Sequence, residues 1–112
     1  MQRTLIGLIL SLLLLPQARG AGDSFTLSAE QWALPRSGSA LIHLAPIRDA
    51  MADWLATPDA HMVIQYSGSD TTNLWAGELQ DWLVALGIPA DHIDKHVSAD
   101  QAEDALTLLV RR

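Results

Sequence analysis

The 112-residue chain has no cysteine, one lysine (Lys95), one tyrosine, one phenylalanine and few basic side chains of any kind. Each shortage excludes something. Without cysteine there is no disulfide to support a small core, no thiol nucleophile, and no residue to carry the lipid of a bacterial lipoprotein. The lone lysine has no serine three residues before it, so a Ser-x-x-Lys arrangement is missing. No Gly-x-Ser-x-Gly elbow and no phosphate-cradling glycine loop occur. The 13 acidic residues read as solvent-facing or helix-capping positions. No nucleophile stands beside a base, so the expectation is a protein that binds rather than an enzyme.

Long apolar runs are also lacking, with one exception. Leu5 to Leu15 is apolar apart from Gly7 and Ser11, follows the basic Arg3, and leads to Pro16-Gln17 and Ala18-Arg19-Gly20. A basic start, an apolar stretch and small residues before a cut form the secretory signal-peptide pattern. Eleven residues are too few to cross about 30 Å of hydrocarbon as a helix. Residues 1–20 are therefore expected to be a cleaved signal peptide, and residues 21–112 one small domain released into the periplasm or the medium. Removal of Arg3 and Arg19 leaves 7 − 2 = 5 basic against 13 acidic residues, a net charge near −8. Such a surface repels nucleic acid and anionic headgroups, so neither is an expected partner. With no spanning segment and no lipidated cysteine, no direct membrane anchor is expected after cleavage.

Within residues 21–112 the apolar pattern changes period repeatedly. Phe25-Thr26-Leu27 alternates as a half-buried strand does, and Trp32-Ala33-Leu34 continues or resumes it. Pro35 to Ser39 is turn chemistry. Pro46 suits the first turn of a helix whose stripe is Ile47, Ala50, Met51, Trp54 and Leu55, ending before Pro58. Met62 to Tyr66 is a short strand between turn-forming segments. Trp75, Leu79, Trp82, Leu83 and Leu86 then mark a second helix, capped by Asp70, Thr71 or Thr72. Gly87 fits the left-handed position just past that helix, and Pro89 blocks continuation. His92 to Val97 reads as a third strand, Ser98-Ala99-Asp100-Gln101 as a capping box opening a short helix, and Leu106, Leu108 and Val110 as a final strand. The order β-α-β-α-β-(short α)-β implies an α/β (α+β) two-layer sandwich, with helices on one face of a mixed sheet. The four tryptophans are expected to supply much of its buried area.

Two clusters carry candidate chemistry. His92, Asp94 and His96 fall at i, i+2 and i+4, on one side of a strand, and imidazole with carboxylate suits zinc or copper. A polar edge-strand face accounts for the same residues, and Lys95 adds an adverse charge. His43 and His61 flank turns and read as ordinary surface residues. The second cluster joins the end of the Met62–Tyr66 strand to a helix start. There Asp70, Asn73 and Trp75 are candidate ligand-binding residues, because parallel α/β sheets bind ligands at that end and helix N-termini favour anions. Capping explains Asp70 to Asn73 without a ligand.

Several stretches together resemble the OmpA-like domain, the peptidoglycan-associating module of bacterial outer-membrane proteins and lipoproteins. Leu34 to Pro46, containing Ser37-Gly38-Ser39-Ala40-Leu41 and Leu44-Ala45-Pro46, is similar to the family's first strand, small-residue turn and Pro-started helix. Met62-Val63-Ile64-Gln65 resembles its second strand. Asp81 to Ile93, with Gly87-Ile88-Pro89, resembles the end of its second helix and the Gly-Ile-Pro step into its third strand. Leu106 to Arg112 stands for the last strand. The family's Gly-His-Thr-Asp after the second strand is replaced by Ser67-Gly68-Ser69-Asp70, and Trp75-Ala76 stands where its ligand-pairing Arg-Ala would be. The resemblance is to a reduced member lacking the usual Asp/Arg ligand motif. It implies an envelope binding or scaffolding protein whose partner is the cell wall or another envelope protein. The alternative reading is a periplasmic metal-binding protein using His92, Asp94 and His96.

Overall fold

The computed structural model describes residues 23–34 and 36–112. The expected signal peptide lies outside them. In chain order the elements are β1 (Ser24–Ser28), α1 (Ala29–Trp32), α2 (Gly38–Ile42), α3 (Ala45–Ala56), β2 (His61–Tyr66), α4 (Asp70–Ala85), a 3-10 turn (Ala90–His92), β3 (Ile93–Val97) and β4 (Ala105–Arg111). The four strands form one mixed sheet in the order β1-β4-β2-β3. β4 runs antiparallel to both β1 and β2, whereas β2 and β3 pair in parallel through the α4 crossover. The architecture is thus an α+β sandwich with helices packed against a mixed sheet.

The parallel pair needs a crossover connection, and α4 supplies it because its ends are well specified. Ser69, not Asp70, Thr71 or Thr72, is the N-cap; its hydroxyl accepts from the Thr72 amide at 3.2 Å. Asp70 instead occupies the first turn, where a carboxylate complements the helix dipole. At the other end Gly87 takes φ 122°, a conformation that side chains rarely adopt. Its amide donates to the Val84 carbonyl and that of Ile88 to Leu83, both at 3.0 Å. Those two bonds make a Schellman motif, and its expected apolar contact is present: Leu83 and Ile88 are both buried.

Three expectations fail locally. Trp32 does not continue a strand, because Ser28 and Gln31 form a capping box (amide-to-side-chain distances of 3.1 Å each way) that turns the chain into α1. Ser37 likewise caps α2 where only a turn was expected. Conversely, Ser98 to Gln101 opens no helix. The Ser98 amide is spent on the Tyr66 carbonyl and the Gln101 side chain reaches forward to Ala105, so the segment is a plain turn between β3 and β4. The chain has two Ser-x-x-Gln tetrapeptides, and only the first caps a helix.

One face of the sheet is dry. Leu27 of β1, Met62, Ile64 and Tyr66 of β2, Ile93 of β3, and Leu106 and Leu108 of β4 meet Ile47 and Ala50 of α3 and Ala76, Leu79 and Leu83 of α4. Burying each large member contributes about 1.5–3 kcal/mol. α3 lies over β1 and β4, and α4 over β2 and β4. Of the four tryptophans only Trp32 is fully inside; Trp54, Trp75 and Trp82 pack half-buried around the rim of the core. Leu55, counted in the α3 stripe, is exposed. The opposite sheet face takes the alternate residues, among them Gln65, Thr107, Asp94 and His96. No helix among the described residues is long and apolar enough to cross a membrane.

Candidate functional site

The start of α4 is built by three hydroxyls. Thr72 is fully buried, and its Oγ1 lies 2.9 Å from Ser67 Oγ and 2.8 Å from Ser69 Oγ. Gly68, at φ 92°, folds the chain so that the two serines flank it. These hydroxyls satisfy one another and the helix end, and no histidine or carboxylate contacts them among the described residues. The arrangement holds the start of the helix.

Asp70 and Asn73 both stand exposed on the first turn of α4, three residues apart and so on one face. Trp75 does not join them. It follows Asp70 by five residues, about 140° further round the helix, and its ring packs half-buried on the core. Of the three candidate ligand residues, the fold groups two and uses the third for packing.

The histidine cluster differs from the pattern read off the sequence. His92 precedes β3, in the 3-10 turn, while Asp94 and His96 lie within the strand. Side chains at i and i+4 of an extended chain share a face but stand about 13 Å apart, too far to hold one ion. Among the described residues no three His, Asp or Glu side chains converge as metal ligands. His92, Asp94 and His96 are therefore not assembled as a centre.

The fold gathers a different set. β2 and β3 pair in parallel with Met62 opposite Ile93, which puts His61 level with His92. Their ring centroids are 4.9 Å apart, with the planes inclined at 41°. His61 Nδ1 lies 3.1 Å from Asp94 Oδ2, and His92 Nδ1 lies 3.1 Å from Asp91 Oδ1. Arg111, at the end of β4, donates through Nη2 to the same Asp94 oxygen at 3.1 Å. His61 was read from the sequence as a surface residue beside a turn; its partners are about 30 positions away, and no local spacing signals them.

A groove of about 820 Å³ runs beside this cluster, floored by Val63 and Leu109 and bordered by Gln65, Asp94, His96 and Arg111. Away from these residues in sequence, Arg36 lies 4.5 Å from the Trp32 ring centroid and donates to the Trp32 carbonyl, with Glu78 of α4 at 3.8 Å. That contact fastens α1 to α4. With this geometry in hand, the chain matches no family model, no curated protein and no solved structure.

Proposed function

We propose that residues 21–112 form an extracytoplasmic interaction domain of OmpA-like architecture, which contacts the cell wall or another envelope protein and catalyses nothing itself. The observation that carries this reading is the step from α4 to β3. Asp81 to Ile93 is the stretch most similar to the OmpA-like family, and each residue of its Gly87-Ile88-Pro89 step has a structural task there. Gly87 supplies the positive φ, Ile88 seals the Schellman motif, and Pro89 starts the 3-10 turn leading to buried Ile93. The succession of strand, two short helices, proline-bearing helix, strand, crossover helix, 3-10 turn and two strands supports the same architecture through its strand and long-helix order.

The contact surface in this reading is the exposed first turn of α4, where Asp70 and Asn73 offer a carboxylate and an amide side by side. Trp75 replaces the arginine that pairs with a carboxylate in the family, so recognition rests on hydrogen bonds from this turn and not on a guanidinium fork. The test is co-sedimentation of the purified protein with purified peptidoglycan sacculi. Enrichment above a heat-denatured control, reduced in Asp70→Asn and Asn73→Ala, is expected. Equal recovery of native and denatured protein would remove the cell wall as the ligand. Export is tested separately by immunoblotting of fractionated cells, which should place a chain shortened by about 20 residues outside the cytoplasm.

A further inference from the structure

The pairing of His61 with His92 has a consequence beyond the interaction surface of α4. Each imidazole presents Nδ1 to a carboxylate: His61 to Asp94, His92 to Asp91. An ionised carboxylate only accepts hydrogen bonds, so in both rings Nδ1 carries the hydrogen. The neutral ring then keeps its lone pair on Nε2. A carboxylate on one imidazole nitrogen, leaving the other free as a donor, is the outer-shell arrangement that orients metal-binding histidines and raises their basicity. Here it occurs twice, on two rings in contact.

We infer that His61 and His92 together bind a divalent transition-metal ion through their Nε2 atoms, with Asp94 and Asp91 as positioning residues behind them.

The surroundings suit such an ion. Asp91 and Asp94 contribute −2 and Arg111 contributes +1, so the neutral-histidine cluster carries −1 before a cation arrives. The remainder of residues 21–112 is acidic as well, which raises the local concentration of cations. The His61 and His92 side chains are 36% and 35% exposed, leaving a path for the ion and for water to complete its coordination. Two imidazoles and open positions make an exchangeable site rather than a closed structural one. Imidazole donors accept both zinc and copper, and Cu²⁺ binds more tightly than Zn²⁺ to a given set of this kind. His96 is excluded because it stands further along β3, opposite Gln65.

Titration calorimetry of the untagged purified protein with Cu²⁺ and with Zn²⁺ tests the inference. One ion per chain is expected, Cu²⁺ the tighter. His61→Ala and His92→Ala should each weaken binding at least tenfold, while His43→Ala and His96→Ala leave it unchanged. Asp94→Asn and Asp91→Asn should each lower affinity by roughly 10–100-fold without removing a donor. Thermal melts without metal separate these effects from loss of fold. Absence of binding to the wild-type protein overturns the inference, as does undiminished affinity in His61→Ala. Equal losses in His96→Ala and His61→Ala would also overturn it, returning the site to the strand face. None of these outcomes bears on sedimentation with sacculi, so the two proposals fail independently.

Discussion

Among the described glycines, Gly68 is the one where an added methyl group meets both a left-handed backbone and a close neighbour. It links β2 to the Ser69 cap of α4 at φ 92°, and a Cβ placed there would stand 2.9 Å from Val97 Cγ1. Gly68→Ala therefore meets two separate costs. The left-handed backbone costs an L-residue about 1–2 kcal/mol. The overlap forces Val97 to give way; that side chain is 55% exposed on edge strand β3, so it can turn at about 0.5–1.5 kcal/mol. Lower entropy in the unfolded chain offsets about 0.4–1 kcal/mol of this. The net loss is about 2 kcal/mol, which in a domain of this size lowers Tm by roughly 8–16 °C. Circular dichroism melts of the single variant and of Gly68→Ala/Val97→Ala measure both parts. The double variant, compared with Val97→Ala alone, should recover the overlap and retain the backbone penalty. A fall in Tm below about 2 °C for Gly68→Ala would refute the reasoning, since neither cost would then exist.

Other perturbations separate elements that look alike in the sequence. Ser28→Ala removes the α1 capping box and should destabilise by about 1 kcal/mol, while Ser98→Ala should stay within about 0.5 kcal/mol, by urea denaturation. Ser69→Ala takes the cap from α4 and a partner from buried Thr72, an expected loss of about 1–2 kcal/mol in the same assay. Thr72→Val keeps the shape but takes the Thr72 hydroxyl away from Ser67 and Ser69, leaving the Ser69 cap bond to the Thr72 amide, so a loss of about 0.5–1.5 kcal/mol is expected, with slower hydrogen exchange at the start of α4 counting against it. Leu79→Ala empties a fully buried site on α4 and should cost about 2–5 kcal/mol, read as a fall in the denaturation midpoint at unchanged slope.

The sequence by itself determined whatever depends on near neighbours. The apolar stripe from Ile47 to Trp54, the 16-residue crossover helix α4, and its stop at Gly87 all follow from spacings of a few residues. So does the alternation in β4 that sends Leu106 and Leu108 inward. Periodicity also placed the four strands and the two long helices in order, and with them a mixed sheet under helices, but it missed the short helices α1 and α2 and added one after β3 that does not form. Local signals did not separate Ser28-x-x-Gln31 from Ser98-x-x-Gln101. The two differ in which long-range partners claim their backbone and side chains, Asp104 for the residue after Ser28 and Tyr66 for Ser98.

The tertiary structure alone decided which side chains meet. A parallel β2–β3 register in which Met62 faces Ile93 sets His61 against His92, and an antiparallel β2–β4 register in which Arg111 faces His61 brings Arg111 within reach of Asp94. A strand spacing of about 3.3 Å per residue is the reason the three-residue set His92, Asp94 and His96 could never close on one point. Helical rotation is the reason Trp75 left Asp70 and Asn73 for the core. Sequence order specifies the faces of each element, but contacts between elements depend on register, which is set by burying the common apolar face, Met62 and Ile93 included, and not by the polar side chains of the site themselves.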